Sequence, residues 1–201
     1  SLPVFKKDPT PILQIMETLK DDPVDYVRMS VANNLNDISK DHPDLVLDIC
    51  ERWYGHSKNT DWIVKRACRT MLKAGNKRAL ILFGFGDPGQ IKVEDLSFSP
   101  LGLAIGDDLR FSFKIILANE EARRVRLEYG VDYVKARGKS SRKIFQIKEV
   151  DYVKGSYTIT KKHSFKDLST RKHYRGQHQF TIIVNGDEKA TGIIELYGIG
   201  L

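Results

Sequence analysis

The sequence predicts an α+β chain in two domains, an α-solenoid over residues 1–88 followed by an all-β sandwich over residues 89–201. Three observations lead there. Apolar residues recur every three to four positions up to about residue 85 and every second position beyond it. The two regimes are separated by a run that breaks helices, Gly84, Gly86, Asp87, Pro88 and Gly89. Finally, the second predicted helix matches the fourth when the chain is slid against itself by 37 positions.

The first helix follows Asp8, with Ile12, Ile15, Met16 and Leu19 on one stripe. The second spans Pro23 to Lys40, its stripe being Val27, Val31, Asn34, Leu35 and Ile38. Asp22 stands at the N-cap and Pro23 at the first helical position, where its missing N–H costs nothing. A third helix follows His42 and Pro43 (Leu45, Val46, Ile49, Cys50, Trp53). The fourth runs from Thr60 to Ala74, with Val64, Ala67, Cys68, Met71 and Leu72 inward and Gly75 as its stop. A short fifth covers Arg78 to Phe85. The 37-residue offset pairs Val27 with Val64, Arg28 with Lys65, Ser30 with Ala67, Val31 with Cys68 and Leu35 with Leu72. A helix-pair repeat of about 40 residues is the mark of HEAT-like or armadillo repeats, which stack because one pair cannot bury its apolar face alone. A solenoid takes at least about three such pairs, so further helices are expected ahead of Ser1.

Beyond the glycine-rich break, seven short stretches are rich in β-branched and aromatic residues: Lys92–Phe98, Leu109–Leu117, Arg124–Asp132, Arg142–Val150, Ser156–Phe165, His178–Val184 and Thr191–Leu196. Asn185-Gly186 between the last two is a hairpin signal. Seven strands in about 110 residues without a helix point to an immunoglobulin-like sandwich, with a barrel as the alternative.

Composition narrows function. The 201 residues, 41% of them hydrophobic, can bury a core, which excludes a disordered tail. The longest apolar run, Ala79 to Phe85, falls far short of the roughly 20 residues that cross a bilayer, so no membrane partner is expected. Two cysteines without Cys-x-x-Cys spacing exclude a disulfide scaffold or a cysteine-rich zinc site and fit a reducing, cytoplasmic setting. Cys50 and Cys68 lie on apolar helix faces and are expected to be structural. Neither a phosphate loop nor a dinucleotide fingerprint occurs, and the five histidines lack metal-ligand spacing; no cofactor or metal is expected.

The net charge of +7 favours a polyanionic partner, and its distribution is uneven. Residues 1–86 carry +2 and residues 87–201 carry +5, but the segment from Lys135 to Arg175 alone carries +10. Its loop-like pieces place Lys139, Arg142 and Lys143, then Arg171, Lys172 and Arg175, among hydroxyls and a tyrosine, a mixture suited to phosphate contacts. On the fourth helix, about 100° per residue puts Trp62, Arg66, Arg69, Thr70 and Lys73 opposite the buried face. The matching outward positions of the second helix are Asp25, Met29, Asn33 and Asn36, with Asp37 on the flank. The bland alternatives are a Trp62 packed on a neighbouring repeat and solvated basic faces.

Two long blocks then look familiar. The run from Asp25 to Asp44 (DYVRMSVANNLNDISKDHPD) and the run from Trp62 to Leu80 (WIVKRACRTMLKAGNKRAL) resemble the HEAT-like repeat of the AlkC-type DNA alkylation repair glycosylases, of the AlkD-like superfamily. The segment from Tyr133 to Phe145 (YVKARGKSSRKIF), with Arg175-Gly176-Gln177-His178 and Val184-Asn185-Gly186, looks like the immunoglobulin-like domain of that branch. The resemblance covers nearly the whole chain. It implies a monomeric, cofactor-free hydrolase of bacterial cytoplasm, associated with the nucleoid when bound to DNA, that excises cationic N-methylated bases, chiefly 3-methyladenine, from double-stranded DNA without fully flipping them. Its duplex would lie against Asn33, Trp62, Arg66, Arg69 and Lys73 on one side and Lys139, Arg142, Lys143, Arg171, Lys172 and Arg175 on the other. The family's chains are longer at the N-terminus, so part of its catalytic set is expected ahead of Ser1; of the carboxylates present, Asp37 is the catalytic candidate, with a Lys40 ion pair as the competing role. The rival reading is a non-enzymatic HEAT–immunoglobulin module that binds nucleic acid or an acidic protein.

Overall fold

The computed structural model describes residues 3–136, 138–169 and 171–198; Arg137, part of the predicted basic segment, lies outside the described residues. The chain divides into two units, residues 1–83 and 84–201.

The first unit contains, among the described residues, α1 (Pro3–Lys7), α2 (Thr10–Leu19), α3 (Asp25–Ile38), α4 (Pro43–Trp53), α5 (Lys58–Ala67), α6 (Arg69–Lys73) and α7 (Lys77–Leu82). Most of the predicted inward residues form the core, Val31, Leu35, Val46, Ile49, Cys50, Trp53, Val64, Ala67, Cys68, Met71 and Leu72, but Ile15 and Asn34, placed on the inward stripes, are exposed, the Asn34 amide donating to the Ser30 carbonyl at 2.9 Å. The helix ends differ from expectation. Asp22 does not cap α3; its Oδ1 accepts the Val24 N–H at 2.8 Å in a turn ahead of the helix, which starts two residues beyond Pro23. Ser57 and Thr60 form a reciprocal capping box at the start of α5. Gly75 takes a positive φ of 71° and stops α6, as its lack of a Cβ allows.

The expected HEAT-like α-solenoid followed by a β domain is not what the chain forms. It is an α+β chain, 33% helix and 41% strand, with two sheets, and its helices run from 5 to 14 residues rather than in uniform pairs. The predicted fourth helix is two pieces, and the reason is side-chain competition for its backbone. The Asn36 Oδ1 takes the N–H of Thr70 at 3.3 Å, and the Arg69 Nη1 donates to the carbonyl of Arg66 at 3.0 Å. The i to i−4 bond between Thr70 and Arg66 is thereby replaced, and α5 ends at Ala67.

The second unit opens with a 3₁₀ turn (Pro88–Gln90) and then holds β1 (Ile91–Ser99), β2 (Gly102–Ala104), β3 (Asp108–Leu117), β4 (Arg123–Val134), β5 (Ser140–Tyr152), β6 (Gly155–Ser164), β7 (Gly176–Val184) and β8 (Asp187–Tyr197). One sheet has the order β1-β3-β6, the other β2-β8-β7-β4-β5. Every predicted strand is present, six of the seven with longer bounds, while β6 is shifted by one residue and ends at Ser164 rather than Phe165. The three-residue β2, too short for a periodicity, pairs in parallel with β8. Alternation explains the core: Leu109, Phe111, Phe113 and Ile115 of β3 face Val125, Leu127, Tyr129 and Val131 of β4 and Phe180 and Ile182 of β7. Asn185 and Gly186 have φ values of 46° and 83° and close the β7–β8 hairpin on the Val184–Asp187 pair, as a two-residue turn with positive φ at both positions requires.

Candidate nucleic-acid interface

In the helical unit, α3 and α5–α6 set two rows of side chains against each other. The α3 row is Tyr26, Met29 and Asn33; the second is Lys58, Trp62, Arg66, Arg69 and Lys73, on the i, i+4 and i+7 spacing of one helix face. The Asn33 Oδ1 accepts from the Arg66 Nε at 3.1 Å and from the Arg69 Nη1 at 3.3 Å. Two guanidinium groups therefore converge on one neutral amide. Partial burial first, and then the charge of Arg66, pull the Arg69 guanidinium below its ordinary pKa. Among the described residues neither arginine forms an ion pair. The Arg66 guanidinium lies 5.5 Å from the centre of the Trp62 ring, within cation–π range. Lys73 is exposed at the end of the row.

At the other end a cleft of about 550 Å³ is lined by Tyr26, Arg28, Met29, Lys58 and Trp62 among others. Tyr26 is 71% and Trp62 45% exposed, so two aromatic rings stand in water. Arg28 is committed to Asp25 and to the carbonyl of Asp22.

Asn36 departs from its predicted outward place. It is buried, and its Oδ1 also accepts the Thr70 hydroxyl at 2.9 Å. Asp37 is exposed and paired with Lys40 at 2.6 Å. The Lys40 ammonium, chiefly, holds its carboxyl below the usual carboxylate range, so it is ionised at neutral pH. Cys50 and Cys68 are buried with sulfurs 3.6 Å apart, and that contact together with burial pushes the Cys50 thiol up, which disfavours a reactive thiolate.

The basic residues of the second unit fall into three groups. Lys139, Lys143, Lys172 and Arg175 are exposed. Arg142 is spoken for: its Nε and Nη2 reach the two oxygens of Asp132 at 3.0 and 2.8 Å, and its Nη1 meets Glu188. Those carboxylates raise its pKa further and tie β5 to β4 and β8. Arg171 lies over the rings of Tyr133 and Phe145, 4.9 and 5.6 Å from their centres, and donates to the Tyr133 hydroxyl at 3.2 Å. Below it, His163 bridges Tyr129 (3.0 Å) and Tyr133 (2.7 Å). Burial pushes this imidazole down to about 4 and raises Tyr129 to about 12. Further along the segment, Lys154 and Lys162 pair with Glu120 and Asp108. Sequence reasoning overlooked Tyr26, although it stands three residues before Met29 and seven before Asn33 on the same stripe. No sequence signal marks the Tyr129–His163–Tyr133 chain, because the two tyrosines lie four residues apart on β4 while His163 comes from β6. Among the described residues no cluster of three His, Cys, Asp or Glu side chains offers a metal site.

Fold and site together define a class: an α+β protein whose helical unit presents a row of cations and aromatics and whose second unit is an immunoglobulin-like sandwich with exposed basic loops. Residues 92–198 match the family described as "Uncharacterised protein YhaZ, C-terminal Ig-like domain", and the chain belongs to that family. The "Uncharacterized protein YhaZ" of Bacillus subtilis (strain 168) is 48% identical over 190 residues, which cover 94% of this chain and 53% of that protein. A solved structure, Pseudomonas fluorescens alkylpurine DNA glycosylase AlkC bound to DNA containing an abasic site analog, superimposes with a TM-score of 0.93 at 36% identity over 98% of this chain and 55% of that one. The chain thus spans about half the length of both relatives.

Proposed function

We propose that this chain serves DNA alkylation repair, supplying a DNA-binding surface of a glycosylase that excises cationic N-methylated bases such as 3-methyladenine. The observation that carries the reading is the Arg66–Arg69 pair, two guanidinium groups brought together on the neutral Asn33, an arrangement that a bridging phosphate would relieve. The likeness to the AlkC glycosylase supports the choice of DNA. Lys73 in the helical unit, and Lys139, Lys143, Lys172 and Arg175 in the sandwich, add exposed charge for the backbone. Arg171 serves through its stacked guanidinium, whereas Arg142 braces the sheet.

The chemistry needs little beyond this. A base made cationic by alkylation is a good leaving group, so stabilising the oxocarbenium-like sugar with a carboxylate and orienting water suffice. Asp37, held ionised, is the acidic group of this chain in keeping with that role. Its engagement with Lys40 on an exposed surface favours the second reading, a non-enzymatic nucleic-acid-binding module. Release of 3-methyladenine from methylated DNA by the full-length protein separates the two; no release above background leaves the binding module. Charge reversal of Arg66, Arg69 and Lys73 to Glu tests the surface itself. Each lost phosphate contact should lower the slope of log K against log salt by about 0.9, and an unchanged affinity and slope would reject the assignment.

A further inference from the structure

The cleft beside the arginine pair is suited to something other than a phosphate. Its walls include the exposed rings of Tyr26 and Trp62 and the side chain of Met29, and its volume of about 550 Å³ lies within the roughly 300–1,000 Å³ of small-ligand clefts. Exposed aromatic area of this kind is stabilised by a flat π-bearing partner. The cations nearby set the partner's charge. Lys58 borders the cleft together with Asp25, whose carboxylate is paired with Arg28, and the Arg66 guanidinium lies 5.5 Å from the centre of the Trp62 ring. Arg66 and Arg69 then follow one and two turns further along the same face. A π-face and an anion in that order describe one nucleotide.

We infer that this cleft is a subsite for a single unstacked nucleotide, its base against Trp62 and Tyr26 and its phosphate on Arg66 and Arg69, with Asn33 as the positioning residue that holds the two guanidinium groups together. The inference rests on the reading of this face as a DNA-binding surface and goes beyond it: a fully paired duplex keeps its bases stacked and fills only the phosphate part. The nucleotide comes from a bulge in a duplex or from a single strand, and the two sources share the same base and phosphate chemistry.

The test uses the full chain with three DNA probes that carry one 2-aminopurine: a paired duplex, the same duplex with the 2-aminopurine as a single-base bulge, and a single strand. Affinities come from anisotropy and stacking from 2-aminopurine emission. Stacking on an aromatic side chain contributes roughly 1–3 kcal/mol per base, so binding of the bulged duplex should exceed that of the paired duplex by about tenfold, with quenching of the bulged base. Trp62→Ala should bring the ratio close to one, and Trp62→Phe, which keeps a ring, should retain most of it. The single strand, if preferred over both duplexes and sensitive to Trp62→Ala, identifies a single-stranded source. Equal binding of bulged and paired duplexes with no quenching overturns the subsite while leaving the DNA-binding surface standing. Failure to bind any of the three removes both.

Discussion

Lowering the pH from 7 to 4 is expected to destabilise the β-sandwich through His163. The imidazole is buried on β6 between two tyrosines, and its ordinary value of 6.5 is pushed down to about 4, first by burial and then by the charge of Arg171, with His173 and His178 adding to the effect and Asp108 opposing it. The hydrogen bonds explain why the neutral form is required. Arg171 donates to the Tyr133 oxygen, so the Tyr133 proton is free to go to the His163 Nε2, and the Nδ1–H then donates to Tyr129. A proton on Nε2 would direct two cationic donors at the Tyr133 oxygen. A group whose folded pKa is depressed leaves stability intact above the unfolded value, and that stability is lost as the pH falls toward the folded value. The window is therefore pH 6.5 to 4, and the gap corresponds to about 3 kcal/mol. Urea unfolding at pH 7.5, 5.5 and 4.0 should show this loss in the wild type, and His163→Gln should remove that share of the pH dependence, leaving what His173 and His178, also depressed by burial, contribute. A folded-state imidazole that titrates near 6.5 by NMR, or a His163→Gln variant with the wild-type pH profile, would refute the reasoning.

Two further outcomes follow from the packing. Asn36→Ala removes the acceptor shared by the Thr70 N–H and hydroxyl and is expected to cost about 2–3 kcal/mol; thermal unfolding of the variant within about 0.5 kcal/mol of the wild type, half the net contribution of an ordinary hydrogen bond, would dismiss its part in dividing α5 from α6. Gly192→Ala puts a methyl group 2.9 Å from the Phe98 Cζ, a ring packed edge-on against Phe180. Overpacking there should cost about 1–3 kcal/mol, read as a lower melting temperature, and Phe98→Leu should restore part of it.

Periodicity was a reliable guide wherever one face of an element decides its burial. The stripes of α3, α4 and α5, the alternation of β3 and β7 and the positive-φ turn at Asn185-Gly186 are all local consequences of side-chain direction, and they can be read from neighbouring residues alone. The outward row of Trp62, Arg66, Arg69 and Lys73 was legible for the same reason. What each cation does was not. Arg142 and Lys143 are adjacent in the sequence, yet Arg142 is clamped by Asp132 and Glu188, on two other strands, while Lys143 stands in solvent.

The amino-acid sequence by itself therefore determined where helix gives way to strand, which side chains enter each core and where positive charge accumulates, because each depends on a short stretch of chain. Tertiary structure decided the rest. It replaced a solenoid of uniform helices with a chain in which Asn36, 34 residues from Thr70, takes over a backbone N–H and ends a helix. It also sorted the basic residues into braces and free donors, and placed Tyr26 beside Trp62 in one cleft. Hydrogen bonds and ion pairs reward partners by distance in space, and distance in space between remote residues is not written in their spacing along the chain.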